Sequence, residues 1–278
     1  MIDLLSSPPS LRHVEGDLVT SIYQDKEIED TVGLYMNESA ILKAPNASAL
    51  VRKLQNGKLR VIQGQSAFGL TGRNAEQRIA LEFLLDDSVP IVSLGGLAGT
   101  GKSLLALAAG IDAVIEQGKY KRVAVFRPLH AVGGEDLGFL PGDFDEKMDP
   151  WAQAVWDAVE AFCDKNVRDY IAERQALQVM PLTHLRGRTL SDTYIIVDEA
   201  QNLSISTLVT ALTRVGENSK IVLTHDVNQR DNAAVGKADG VLAVVERLLG
   251  KKLFAHVALN KVERSAVAKL VGELFDDL

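Results

Sequence analysis

Residues 96–103 read Gly96-Leu97-Ala98-Gly99-Thr100-Gly101-Lys102-Ser103. Glycines at this spacing let successive backbone N–H groups turn toward one anion, and a helix start just behind them adds the positive end of its dipole. The apolar run Val89–Leu94 precedes the loop, and Leu104-Leu105-Ala106-Leu107-Ala108-Ala109 follows it, so strand, glycine loop and helix come in the order of a P-loop. In that setting Lys102 meets the β- and γ-phosphates of a nucleoside triphosphate and Ser103 meets a magnesium ion, with Leu104 in the first helical turn. A nucleoside triphosphate and Mg2+ are what this spacing calls for.

A second group lies at the end of another apolar run, Tyr194-Ile195-Ile196-Val197-Asp198-Glu199-Ala200-Gln201. Two carboxylates at the carboxyl end of a buried strand stand where open α/β sheets bind ligands. Asp198 suits the magnesium shell and Glu199 the polarisation of the attacking water, a Walker B arrangement. Phosphoryl transfer rests on positioning and charge neutralisation, so more polar groups are expected near the γ-phosphate. Gln229, beyond Leu223-Thr224-His225-Asp226, is a candidate γ-phosphate sensor, and Arg264, beyond the last strand, a candidate arginine finger. Gln77, on a helix ahead of the loop, has an amide that matches the donor and acceptor of an adenine edge.

The elements needed to hold these groups can be read from the pattern. Asn74 caps a helix through Leu85. Strands are expected at Ile91, Arg122–Phe126, Tyr194–Val197, Lys220–Thr224 and Phe254–Leu259. The helix after the P-loop runs to about Gln117, and others are expected over about 150–166, 205–215, 238–249 and 263–276. Apolar strands separated by helices predict an α/β fold: a RecA-like P-loop NTPase, its parallel sheet covered by helices on both faces. Residues 1–18, with Ser6-Ser7-Pro8-Pro9-Ser10, are expected to be a flexible tail. Residues 19–66, with short alternating runs among Gly, Asn and Pro, are expected to form a small β-rich appendage, and 67–278 the P-loop ATPase domain.

The 278 residues carry a formal charge of −7, which weighs against a general electrostatic grip on nucleic acid and leaves local basic patches such as Arg186-Gly187-Arg188 and Lys251-Lys252. No apolar stretch is long enough to cross a membrane. The single cysteine, Cys163, excludes an intramolecular disulfide and suits a cytoplasmic location.

The chain resembles the PhoH family of P-loop ATPases, which are similar to the nucleotide-binding core of superfamily 1 helicases. The resemblance spans roughly residues 30–276 and rests on signatures in order: Gly138-Phe139-Leu140-Pro141-Gly142-Asp143, Glu146-Lys147-Met148 with Pro150-Trp151, Arg186-Gly187-Arg188-Thr189, and Asp198-Glu199-Ala200-Gln201-Asn202. The segment 30–66 and the Pro150-Trp151 junction look most like the ATPase half of PIN–PhoH proteins, in which a nuclease domain comes first. That nuclease half is not in this sequence, and the chain is expected to be cut from a longer protein. The resemblance implies ATP hydrolysis and an RNA-unwinding and RNA-cleaving setting. It also implies nucleotide-site roles for Gln77, Gly96 to Ser103, Arg127, Asp198, Glu199, Gln229 and Arg264. His225 departs from the family pattern, which more often has glycine there. A ring at that position is expected to crowd the phosphate pocket and displace Asp226 and Gln229.

A superfamily 1 helicase closes ATP between two such cores, and this chain supplies one. A homo-oligomeric ring, a hexamer, is therefore expected, with Arg264 or Arg186 of a neighbour at the γ-phosphate and single-stranded RNA passing loops such as Gly133–Asp143. Two other classes stay open. A regulatory or assembly module that controls a nuclease without unwinding fits the acidic surface and the lack of an aromatic-rich basic strip. A small-molecule kinase is disfavoured by Glu199 directly after Asp198, which points to water as the acceptor.

Overall fold

A computed structural model describes residues 7–128, 144–185, 187–226 and 240–262, with side chains of 144–151 excepted. Its first sheet holds β1 (Ser10–His13), β2 (Glu27–Glu29), β3 (Ser39–Lys43), β4 (Ser48–Lys53) and β5 (Lys58–Val61), in the order β1-β3-β4-β5-β2. Helix α1 (Gly16–Asp25) covers one face, with Val19 and Ile22 against Leu42, Val51 and Leu59. Ser10–His13, expected in a flexible tail, is instead a strand running parallel to β3 from Ala40 to Lys43. Its side chains are mostly exposed, so the pairing is carried by backbone hydrogen bonds that leave no apolar signature. The short hairpin β6 (Ser66–Ala67) and β7 (Leu70–Thr71) leads on to the larger sheet.

That sheet contains β8 (Ile91–Gly96), β9 (Arg122–Arg127), β10 (Leu177–Pro181), β11 (Thr193–Val197), β12 (Lys220–Thr224) and β13 (Phe254–Leu259). Its order is β10-β9-β11-β12-β8-β13, and every pair is parallel. The middle strands β11 and β12 are buried along their whole length, as a sheet covered on both faces requires. On one face lie α2 (Ala75–Leu84), α3 (Lys102–Ile111), α4 (Phe144–Glu160) and α5 (Lys165–Glu173). On the other lie α6 (Ile205–Leu212) and α7 (Gly240–Leu248), which bring Leu208 and Val245 against Ile195, Ile221 and Leu223. The fold is the expected α/β architecture. No helix among the described residues is long and apolar enough to cross a membrane.

Besides β1, helix α1 in the appendage and two elements beside the larger sheet, helix α5 and strand β10, were not anticipated. Helix α5 buries only Ile171, and β10 is an edge strand with three of its five residues half-buried, so neither carries a strong apolar run. Helix α4 starts at Phe144, six residues before the expected start at Pro150. The helix expected over 263–276 lies outside the described residues.

The two sheets meet along α2. Arg52 of β4, 3% exposed, faces Glu82 and Asp86 at the far end of α2, and Arg60 of β5 donates to Glu82 at 2.7 Å. Gln65 donates to the other Glu82 oxygen, also at 2.7 Å. Opposite charges that face one another here orient how these elements dock. Nearby, the buried Asn37 amide donates to the carbonyls of Lys251, Lys252 and Phe254, which ties the β2–β3 connection to the start of β13.

Candidate functional site

Strand β8 ends at Gly96, which has φ 121°. A Cβ there would lie 2.0 Å from the carbonyl oxygen of Leu259 on β13, so the neighbouring strand alone demands glycine. Gly101 follows in the left-handed region at φ 93° and forms the N-cap of α3. Between them the Thr100 hydroxyl donates to the Leu97 carbonyl at 2.8 Å and holds the turn closed. Lys102 Nζ donates to the carbonyls of Gly96 and Leu97, each at 2.7 Å, and so folds back over its own loop.

Ser103 Oγ donates to Asp198 Oδ1 at 2.8 Å, and Thr224 Oγ1 donates to the same oxygen from the end of β12. Asp198 itself is placed where its N–H donates to the Phe126 carbonyl of β9 at 2.9 Å. The three side chains come from three neighbouring elements and put hard oxygen donors at one point. That donor set suits Mg2+, which takes one or two protein oxygens and completes its shell with phosphate and water. Among the described residues no cluster of three or more His, Cys, Asp or Glu offers a rival metal site.

Glu199 adopts a left-handed backbone, φ 53° and ψ 41°, costly for a side chain of its kind. Its Oε1 lies 3.3 Å from Nη2 of Arg127, which stands at the end of β9, and its Oε2 accepts from Gln201 Nε2. Gln201 in turn accepts the Asp226 N–H at 3.1 Å, so one amide links the Glu199 carboxylate to the chain leaving β12.

The loop, the two carboxylates and the end of β12 enclose a cavity of about 260 Å³. Ala98, Gly99, Gly101, Lys102, Ser103 and Leu104 line one side, and Asp198, Glu199, Thr224, His225 and Asp226 the other. Arg127 is not among the lining residues: it stands behind the carboxylates, with Nε 3.9 Å from Asp198. Gln77, expected to face an adenine, donates instead to the Thr100 carbonyl at 3.0 Å and accepts the Arg73 N–H at 2.9 Å. It braces the glycine loop from α2. The preceding Glu76 takes the N–H groups of Asn260 and Lys261 on one carboxylate oxygen, at 2.7 and 3.0 Å, which fixes the chain leaving β13.

His225 is 1% exposed, and its Nε2 lies 2.9 Å from Ser93 Oγ on β8. The ring forms part of the cavity wall and is anchored to β8. Asp226 stays at the cavity with its N–H held by Gln201. Gln229, Arg264, Arg186 and the 133–143 loop lie outside the described residues. Thr224 and Gln201 were missed by the sequence reading, although both flank motifs it singled out.

A family model described as PhoH-like protein matches residues 69–276. The chain belongs to the PhoH family. Protein PhoH2 of Mycolicibacterium smegmatis is 50% identical over 268 residues, covering 95% of this chain and 61% of that protein. Protein PhoH2 of Bacillus subtilis is 38% identical over 277 residues, covering 94% of this chain and 62% of its own length. The chain thus spans about three fifths of these PhoH relatives. Among solved structures, Pif1 helicase from Candida albicans is similar over 75% of this chain and 44% of its own, at 17% identity and a TM-score of 0.39. Glycine loop, paired carboxylates and parallel sheet together give the PhoH domain of this chain a P-loop α/β fold.

Proposed function

We propose that this PhoH domain binds ATP with Mg2+ in the cavity under the glycine loop and hydrolyses it, as an RNA-linked motor that works in a homo-oligomeric ring. The observation that carries the reading is the convergence of Ser103, Thr224 and Asp198 on one point beside Lys102 and Glu199. In this reading the loop amides and Lys102 hold the phosphates, Ser103 and Asp198 hold the ion, and Glu199 orients the attacking water. Magnesium supplies charge neutralisation on the transferring phosphoryl group. Lys102 exchanges its two carbonyl acceptors for phosphate oxygens, which costs the protein little rearrangement.

The described residues form one such core, which supports a neighbouring subunit as the second wall, with Arg264 or Arg186 as the donated cation and Gln229 as a sensor. A hexamer meets that need, and single-stranded RNA fits the family setting. Residues 19–66 and 67–278 are taken as appendage and ATPase domain. The part of the longer relatives that this chain does not span is where we place a PIN-type nuclease. A cytoplasmic setting agrees with a lone cysteine.

The charge of −7 favours a second reading, in which ATP changes ring geometry and controls the nuclease without unwinding. Steady-state ATP hydrolysis with and without single-stranded RNA, beside a native mass measurement, separates the two. RNA-stimulated turnover in a hexamer supports the motor. Turnover indifferent to RNA in the same hexamer supports the regulator, and a fully active monomer overturns the ring.

A further inference from the structure

An apolar groove with an acidic rim lies on the α3–α5 side of the larger sheet, apart from the phosphate cavity. Its volume is about 510 Å³, and it is lined by the half-buried Phe68, Phe162 and Val167 and by the acids Asp112, Glu116 and Asp164. Phe68, at the tip of the β6–β7 hairpin, meets Phe162, between α4 and α5, edge to face with centroids 6.1 Å apart. The hairpin tip is fixed in place, because the Phe68 N–H donates to Asp112 at 2.8 Å. Lys119 and Arg168, cations close by in the chain, are taken by Asp87, Glu160 and Asp169. Among the described residues none of the three acids on the groove is in an ion pair, and Lys165, beside Asp164 in the chain, leaves the rim acidic in balance.

The entry to β13 has the opposite character. Lys251 and Lys252, the basic pair of the sequence, are exposed, and Leu253 after them is 57% exposed. Their backbone is tied inward: the Asn37 amide donates to the carbonyls of Lys251 and Lys252, the Gln55 amide donates to that of Lys252, and the Leu253 carbonyl accepts the Ile91 N–H at 3.0 Å. The three residues thus form a rigid knob of two cations and one leucine. The lysine ion pairs of the described residues involve Lys53, Lys58, Lys119 and Lys121, so neither knob lysine is matched by a carboxylate among them. We infer that the Lys251–Leu253 knob of one copy of this chain docks into the acid-rimmed groove of another.

Charge and shape both match. The leucine and the lysine methylenes cover the two phenyl rings, while the ammonium groups reach the carboxylates around them. Position matches as well. Asp112 and Glu116 follow α3 at its end remote from Lys102, and Leu253 precedes β13 at the end remote from Leu259, whose carbonyl lies against Gly96. Knob and groove therefore both lie away from the phosphate loop, and a rotation axis running along the strands brings the knob of one copy to the groove of the next. They are separate surfaces, so every copy has one of each to offer and the contact repeats around a ring. The inference rests on the ring reading above and names its contact.

The groove holds the lone cysteine of the chain, Cys163, so Leu253→Cys supplies the one thiol needed to trap the contact. Oxidation of this variant is expected to give a ladder beyond the dimer on a non-reducing gel, with position 253 of one copy linked to Cys163 of another in the digested peptides. Cys163→Ala is expected to abolish the ladder, and Glu116→Cys in that background restores an acceptor if the half-buried Cys163 reacts slowly. Links from position 253 to neither acceptor overturn the contact. Sedimentation and native mass run beside this test. Lys251→Glu with Lys252→Glu, and separately Glu116→Lys, are each expected to raise the dissociation constant of the assembly by about tenfold or more, and Lys252→Glu combined with Glu116→Lys to recover part of the loss. Added salt is expected to weaken the parental assembly. Assembly that persists unchanged in both charge variants overturns the contact and leaves the ring standing. A parental chain that is monomeric at every concentration removes the ring, and the link between position 253 and Cys163 alone then decides the contact.

Discussion

Arg127 holds the Glu199 carboxylate from behind: its Nη2 lies 3.3 Å from Oε1, across the gap between the ends of neighbouring strands β9 and β11. The guanidinium stands outside the phosphate cavity, so its effect on nucleotide passes through the carboxylate. Arg127→Ala is expected to lower kcat by about 10- to 100-fold, the cost of one charge-assisted hydrogen bond in the transition state. The nucleotide dissociation constant is expected to change by less than about threefold, because no direct contact is lost. A fluorescent-nucleotide titration beside steady-state turnover separates the two effects. Weakened binding at unchanged kcat would mean that Arg127 touches the nucleotide.

Glu199→Gln keeps the size of the side chain, leaves one acceptor oxygen for the two donors Arg127 and Gln201, and removes the basicity. Binding of magnesium ATP is expected to stay intact while single-turnover hydrolysis falls by roughly 10²–10⁴-fold. Hydrolysis at the parental rate would remove Glu199 from the role of base.

Gly96→Ala places a methyl group where the Leu259 carbonyl oxygen already lies, 2.0 Å from the ideal Cβ position. Strand β13 must then separate from β8, at a cost of about 3 kcal/mol or more. Thermal melting should show a drop of this size even without nucleotide. An unchanged melting temperature would show that the β8–β13 contact yields easily.

Lys220 is a buried cation at the foot of β12, and its ammonium donates to the carbonyls of Phe83, Asp86 and Val89 at 2.7–2.8 Å. Burial pushes its pKa down to about 7, against the attraction of Asp86 and Asp87. Above that value the native state has lost a proton that the unfolded chain keeps, so stability rises with pH between about 7 and 10, by up to about 1.4 kcal/mol per pH unit. Above 10 the sign reverses. Tyr35 and Tyr120, pushed up to about 12 by burial, stay protonated in the fold while the unfolded chain ionises. Urea unfolding at pH 7 and 9 tests the first window. Lys220→Met is expected to lose about 3 kcal/mol, because three buried carbonyls lose their donor, and to lose the pH slope with it.

The sequence made the phosphate loop, the paired carboxylates and most of the larger sheet legible, because each is a local pattern. Lys220–Thr224 and Phe254–Leu259 are apolar runs bounded by polar residues, and the strands fall on those residues. What it hid depends on partners distant in the chain. The amide of Gln77 reads as a base reader in the sequence, and its bonds to Thr100 and Arg73 appear only in the fold. The ring of His225 suggests an obstruction until Ser93, 132 residues earlier, is found to hold it. Strand β10 and helix α5 lie at the sheet edge, where half-burial weakens the periodic signal on which such reading depends.

Helix α2 has opposite duties at its two ends. Gln77 and Glu76 grip the phosphate loop and the chain leaving β13, while Glu82 and Asp86 are clamped by arginines of the small sheet. Ten residues of helix make a rod of about 15 Å, short enough to transmit force without bending. One short helix thus holds the glycine loop at one end and the small sheet at the other.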